Sequence, residues 1–441
     1  MAMNRMRRIL AAAAAIAFVA SASIPADAGT AQRLTDFTYG TGIFPPVSSL
    51  TNVRGTLFFV AYEESTGWEL WKSDGTRDGT ILVEDIDPGP ASSLSSLSYL
   101  ENVGGTLFFL ATDATSVNAL WKSDGTAAGT ERITELSCSS GDFATVRGTL
   151  FFNSCGLWTS DGTTAGTEKV KDVYITSPLT RVGTRAFFAA RRRGSGTELW
   201  RSDGTTAGTR LVRDIRPGPR SSFPSGITSV GGTAFFKADD GGTGWELWKS
   251  DGTAAGTELV RDIYPGAISS DLSELTRVGD TLFLGSNDGV TGWELWRSDG
   301  TKVGTERITN YPQGGVIGLT DVADTLFFLG DDGSGTSGLE LWRSDGTADG
   351  TSMVKDINPG PTGSVTQWLT ASDRHLYVTA SDGATGYELW RSDGTASGTR
   401  LVEDINRGSG DSTPLKLTNV RGTLFFAASD GVNGYELWRT H

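Results

Sequence analysis

One short phrase occurs nine times in this chain, and its spacing leaves few folds open. It reads ELWKSDGTRDGT from Glu69, ELWRSDGTTAGT from Glu198, ELWKSDGTAAGT from Glu246 and ELWRSDGTKVGT from Glu294. It returns from Glu340 and Glu388, in weaker form around Trp121 and Trp158, and stops short as ELWRTH at the C-terminus. The repeated tryptophans, from Trp71 to Trp438, lie 37 to 50 residues apart, most often 48. A period of that size belongs to repeat architectures, in which each unit buries its apolar faces only against its neighbours.

Within one unit, TRLVEDI (Thr399–Ile405), LTNV (Leu417–Val420), TLFFAA (Thr423–Ala428) and YELWR (Tyr435–Arg439) are four short runs of strand-forming residues. Turns rich in Gly, Asp and Pro separate them, and nothing beyond residue 28 shows helical periodicity. Four antiparallel strands per unit is the blade of a β-propeller. Units begin at Gly29, Gly79, Gly129, Gly166, Gly208, Gly256, Gly304, Gly350 and Gly398. The expectation is therefore an all-β propeller of nine blades, or eight if the shortened third unit forms none. GTAQRLTDF at Gly29 matches the GTRLVEDI strand that is missing after the last ELW, so the N-terminal strand is expected to complete the last blade and close the ring. Residues 29–441 then form a single domain.

Residues 1–28 read as a signal peptide. Arg5, Arg7 and Arg8 precede an apolar run too short to span a bilayer, and Ala26-Asp27-Ala28 is an A-x-A cleavage signal. A secreted or periplasmic protein without membrane insertion is expected. The formal charge of −14 argues against nucleic acid, because phosphate contacts need clustered Lys and Arg. Cys138 and Cys155 fit an oxidising compartment. They fall in the loop entering the third blade and in that blade's hairpin, on one face, so a disulfide between them is expected. Two buried thiols are the alternative.

The SDGTxxGT segment reads as a structural turn: Asp accepts amide hydrogen bonds and Gly supplies a positive φ. Similar Asp-boxes mark the same hairpin of sialidase-like propellers. In the ELW strand, Glu and Trp face one side and Leu and the following Lys or Arg the other. Trp and Leu should form core between blades, and the Glu of one unit is expected to meet the cation of a neighbour.

Catalysis has few handles. His375 and His441 are the only histidines, which leaves little room for a histidine-dependent triad or a multi-histidine metal site. Paired carboxylates for glycoside hydrolysis remain open, since Asp and Glu abound.

Departures from the repeat are more informative. The loops between second and third strands are acidic, and Asp239, Asp240, Asp331 and Asp332 are candidates for Ca²⁺, although hairpin chemistry explains Asp-Gly turns equally well. No other cofactor is expected. Arg191, Arg192 and Arg193 break that acidic rim and offer an anionic-ligand or docking patch. Trp68, Trp245, Trp293, Tyr387 and Tyr435 open third strands, where they either stack on sugar rings or pack between blades. Trp368 and Tyr99 precede innermost strands, a position at the mouth of the central channel, and are further ligand-binding candidates.

The repeated phrase, with its LTxVxGTLFF and LVxDIxPG companions, resembles the ELWxxDGT repeat of exported bacterial proteins, some labelled hyalin-like. The resemblance covers residues 29–441, with departures at Ala119 and Gly156. It implies export and a repeat fold, and carries no catalytic residue or substrate with it. The function expected is a non-enzymatic, monomeric binding or adhesion module for extracellular protein or glycan ligands. The alternatives are a propeller enzyme acting on polysaccharide, which a cleft cut by one long insertion would favour although the loops here are short and even, and a structural surface component without a discrete ligand.

Overall fold

Both faces of every sheet in this protein are covered by a neighbouring sheet, which is why its strands read as near-continuous apolar runs. The computed structural model describes residues 30–440 except 38, 40–44, 116, 139–140, 193 and 312–313; at 365–368 it describes the backbone alone. Residues 1–28 and Arg193 therefore lie outside the described residues, as does the side chain of Trp368.

Nine antiparallel sheets stand in a ring. Blades 1 to 9 span residues 47–84, 100–135, 143–171, 174–213, 225–261, 273–307, 315–355, 365–403 and 415–440. The eight-blade alternative is set aside, because the short third unit pairs its own four strands. The first strands of successive blades touch one another around the axis. Strand alternation sends adjacent residues to opposite neighbours. Leu70 packs with Leu107 and Phe109 of blade 2, while Trp71 packs against Phe425 and Leu437 of blade 9. Phe59, Phe109, Phe188, Phe236, Phe328 and Phe426 are fully buried, each contributing about 2–3 kcal/mol by removal from water.

The ring closes as the sequence predicts. Gln32 and Arg33 pair with Arg439 and Trp438 as the fourth strand of blade 9. Leu34 and Phe37 fill the core between blades 9 and 1.

The SDGT turns are self-contained. Asp74 Oδ1 accepts from Thr76 N at 2.8 Å and from Thr76 Oγ1 at 2.7 Å, and these bonds hold its carboxyl below the usual range. Thr76 Oγ1 in turn accepts from Gly79 N at 3.0 Å. A Cβ on Gly79 would lie 2.1 Å from Asp74 Oδ1, so only glycine lets the carboxylate close the turn.

One expectation is corrected. Among the described residues, the buried glutamates of the ELW strand form no ion pair with a neighbour's cation. Glu69 instead accepts from Ile86 N at 3.2 Å and Ser93 N at 2.9 Å, both in the connection leaving its own blade. Glu198, Glu246, Glu340 and Glu388 repeat this clamp. The cations go elsewhere: Lys72 Nζ donates to the Gly125 carbonyl at 2.7 Å and Lys249 Nζ to that of Gly300 at 2.8 Å. The reason is distance along the strand. Three residues separate Glu69 from Lys72, about 10 Å of rise, so the glutamate serves the face with the blade-to-blade connections and the lysine serves the face with the SDGT turns.

Candidate functional site

Blade 3 is where the repeat fails, and its failure opens a cleft. The stretch Thr149–Trp158 is six residues shorter than its counterpart Thr56–Trp71. Its third strand is only Leu157–Ser160. A tight turn replaces the long hairpin: Ser154 N donates to the Gly156 carbonyl at 3.0 Å, and Cys155 takes a left-handed φ of 48°. The disulfide joins Cys155 to Cys138, with Cα atoms 5.8 Å apart, and ties this stub to the loop entering the blade.

Blade 4 does not shorten to match. Its second strand, Arg185–Arg192, is a full eight residues, and its first strand is split into Tyr174–Ile175 and Thr180–Val182. Tyr174 pairs across the sheet with Arg191. The result is an open cleft of about 810 Å³ between the stub and the full-length blade, within the ~300–1,000 Å³ range of ligand sites.

Val173, Trp200, Leu211 and Cys155 give the cleft an apolar floor. Four cations line it, Lys171, Arg191, Arg192 and Arg210, against one lining carboxylate, Asp172. Asp172 is already held by Lys169 Nζ at 3.0 Å. Lys171 Nζ donates to the Thr209 carbonyl at 3.1 Å. No carboxylate among the described residues lies within ion-pair distance of Arg191, Arg192 or Arg210. In a chain of net charge −14, this is a local reversal of sign over an apolar surface, suited to a carboxylate- or sulfate-bearing ligand. Arg191 and Arg192 were visible as a basic run. Lys171, Tyr174 and Arg210 were not, because each is an ordinary residue of its own unit and only the missing hairpin brings them together.

The other candidates stand apart from this cleft. Asp239 accepts from Gly241 N at 2.6 Å and pairs with Arg216. Asp240 accepts from Gly242 N at 2.8 Å and Thr243 N at 2.9 Å. Asp331 and Asp332 accept from Gly333 N at 2.8 Å and Ser334 N at 2.9 Å. These carboxylates cap their own hairpins in blades 5 and 7, and no group of three or more His, Cys, Asp and Glu suited to a metal occurs among the described residues. Tyr99 is largely exposed and lines a smaller cavity beside Gly141 and Thr112. Position 368 falls within the first strand of blade 8, Val365–Ser372, rather than before it. No helix among the described residues is long and apolar enough to cross a membrane.

No protein-family model matches the chain, and no curated protein matches it. Solved structures similar to it include puromycin hydrolase, at 15% identity and a TM-score of 0.45 over 87% of this chain and 58% of that one. Prolyl oligopeptidase B from Galerina marginata is 11% identical, TM-score 0.47, over 87% and 54%. The β-propeller domain of the Trilobed protease from Pyrococcus furiosus is 11% identical, TM-score 0.40, over 81% and 97%. This chain thus spans little more than half the length of the first two. The expectation of a non-enzymatic module finds no support among these neighbours, which are peptidases or propellers of proteases; what the likeness shows is the β-propeller fold alone. At this level of likeness nothing of their substrates or catalytic residues transfers.

Proposed function

We propose that this chain is a propeller enzyme acting on polysaccharide, with the cleft between blades 3 and 4 as its working site and acidic sugar units as its substrate. The observation that carries the proposal is the cleft itself: an opening of about 810 Å³, cut by a deletion rather than an insertion and lined by four cations over an apolar floor. The signal-like segment at residues 1–28 fits an exported enzyme meeting such polymers outside the cytoplasm.

The lining favours elimination over hydrolysis. Hydrolysis by paired carboxylates needs two acids flanking one bond, and Asp172 is the single carboxylate among the described residues of the cleft. Cations that neutralise a uronate carboxylate stabilise the negative charge that develops when the adjacent C5–H is deprotonated. The Tyr174 oxygen, in its deprotonated form, takes the proton from C5. The C4–O bond then breaks as C4=C5 forms, and the departing oxygen takes that proton back from the Tyr174 hydroxyl.

The test is incubation of the purified full chain with polygalacturonate, alginate, hyaluronan and a neutral glucan. Viscosity, reducing ends and the ultraviolet absorbance of the unsaturated uronate are followed together. Loss of viscosity with that absorbance, confined to the acidic polymers and reduced about tenfold or more by Arg191→Ala or Arg192→Ala, is the expected result. An unchanged polymer in every case overturns the proposal.

A further inference from the structure

Trp245 and Trp293 hold one position of the repeat in blades 5 and 6, the residue that opens the third strand. Where Trp68 and Tyr435 hold it, they pack into the cores between blades. Trp245 and Trp293 join none of the cores around them. Half-buried, they line a cavity of about 420 Å³ together with Lys237, Asp271 and Leu272.

Three neighbours depart from the repeat: two leave these rings uncovered, and the third extends the aromatic surface. Gly285 stands where Val60, Leu110 and Leu329 stand in sister strands, opposite the leucine of the ELW phrase. A Cβ there would point between Ser273 Oγ, at 2.5 Å, and the Trp293 ring, at 3.8 Å, so no larger side chain covers that flank of the indole. Ser273 Oγ is itself buried without a hydrogen-bond partner among the described residues. Phe223 stands where Leu94 is buried at the edge of blade 2, yet Phe223 is 53% exposed. It stacks on Trp245 with ring centroids 6.3 Å apart and planes 18° apart. Asp271, one unit further on, replaces the apolar residue altogether and makes no hydrogen bond or ion pair among the described residues. Lys237 Nζ spends one donor on the Leu272 carbonyl, at 3.3 Å.

We propose that this cavity is a subsite for a neutral pyranose unit of the polymer. Aromatic faces take the apolar C–H face of a sugar ring, and a few polar groups at the edge take its hydroxyls. Lys237 and Asp271 supply a donor and an acceptor of opposite charge, so the site has no preference for an anion, unlike the cleft between blades 3 and 4. Both openings lie on the face that carries the second-to-third-strand loops and the connections between blades. The choice of a polysaccharide unit as occupant rests on the proposed function, but binding here needs no catalysis.

The test is calorimetric titration of the full chain with neutral hexasaccharides of glucose, xylose and mannose, on the unaltered protein and on Trp293→Ala, Trp245→Ala, Trp293→Phe and Arg191→Ala/Arg192→Ala. Saturable binding of at least one sugar is expected, weakened about tenfold or more by either alanine variant, largely kept by Trp293→Phe and unchanged by the arginine pair. Thermal melting identifies any variant that fails to fold, and Trp293→Phe, which preserves the packing, then decides. No binding of any sugar at millimolar concentration overturns the subsite, as does binding indifferent to both tryptophans or lost with the arginines. Failure of the subsite leaves the depolymerisation assay standing, and a protein that binds neutral sugars but cleaves nothing sinks the enzyme while the subsite survives.

Discussion

The backbone N–H of Leu437 donates to the hydroxyl of Thr35 at 2.9 Å across 402 residues of sequence, and the same hydroxyl donates to the buried carboxylate of Glu436. Phe37 N reaches that carboxylate at 3.1 Å. The N-terminal strand thus gives Glu436 what the blade-to-blade connections give the other glutamates. Deleting residues 29–37 is expected to lower the melting temperature and promote association, because it bares the edge of the third strand of blade 9. Thr35→Val, which keeps the shape and removes the hydroxyl, is expected to cost about 1–3 kcal/mol in urea denaturation. Unchanged melting of the truncated chain would refute closure.

The glutamate clamps make stability depend on pH. Burial raises Glu69, Glu246, Glu388 and Glu436 from 4.5 to about 7. Between those values the folded protein holds protons that the unfolded chain has released, so the stabilising share of these groups is complete below about pH 4.5 and is lost as pH rises to about 7. The midpoint of denaturation is therefore expected to fall from pH 5 to pH 8. Glu246→Gln, with no charge to bury, should flatten that fall. A midpoint that rises over the same window would contradict the assignment.

Cutting the disulfide should cost stability near the cleft. Cys138 and Cys155 close a loop of 17 residues, worth about 3 kcal/mol by loop entropy, in the blade with the least hairpin to hold it. Cys138→Ala/Cys155→Ala is expected to unfold at lower denaturant by that margin. Mass spectrometry of the purified protein, alkylated without reduction, should find neither cysteine labelled.

The SDGT turns offer a cleaner measure of one carboxylate. Asp299 Oδ1 accepts from Thr301 N at 2.7 Å and Thr301 Oγ1 at 2.8 Å. Asp299→Ala is expected to cost about 1–2 kcal/mol, while Asp299→Asn, which keeps the accepting oxygen, should cost less. Equal losses in both variants would show that the charge, rather than the acceptor, holds the turn.

Much of this architecture was legible in particular residues. The nine tryptophans from Trp71 to Trp438 mark nine blades, and GTAQRLTDF at Gly29 supplies the strand absent after ELWRTH. The placement of Cys138 and Cys155 on one face of one short blade put the two sulfurs within reach. The partners of Glu69 and Lys72 were misread, because periodicity says that two residues share a boundary between blades but not that about 10 Å of strand separates them.

Residue order alone dictates the unit: four strands, its turns, the number of copies and the strand that joins the first to the last. Each follows from local pattern, since a repeat writes the same short-range physics nine times. Everything that lies between units is settled by packing in three dimensions. Lys171, Tyr174, Arg191 and Arg210 belong to different strands, and they converge because six missing residues in blade 3 leave no hairpin between them. Trp245 and Trp293 look like Trp68 in sequence, yet their rings face a cavity because Gly285 and Asp271 fail to cover them. A vacancy has no residues of its own, so no motif announces it; it is set by the side chains that neighbouring blades do not supply.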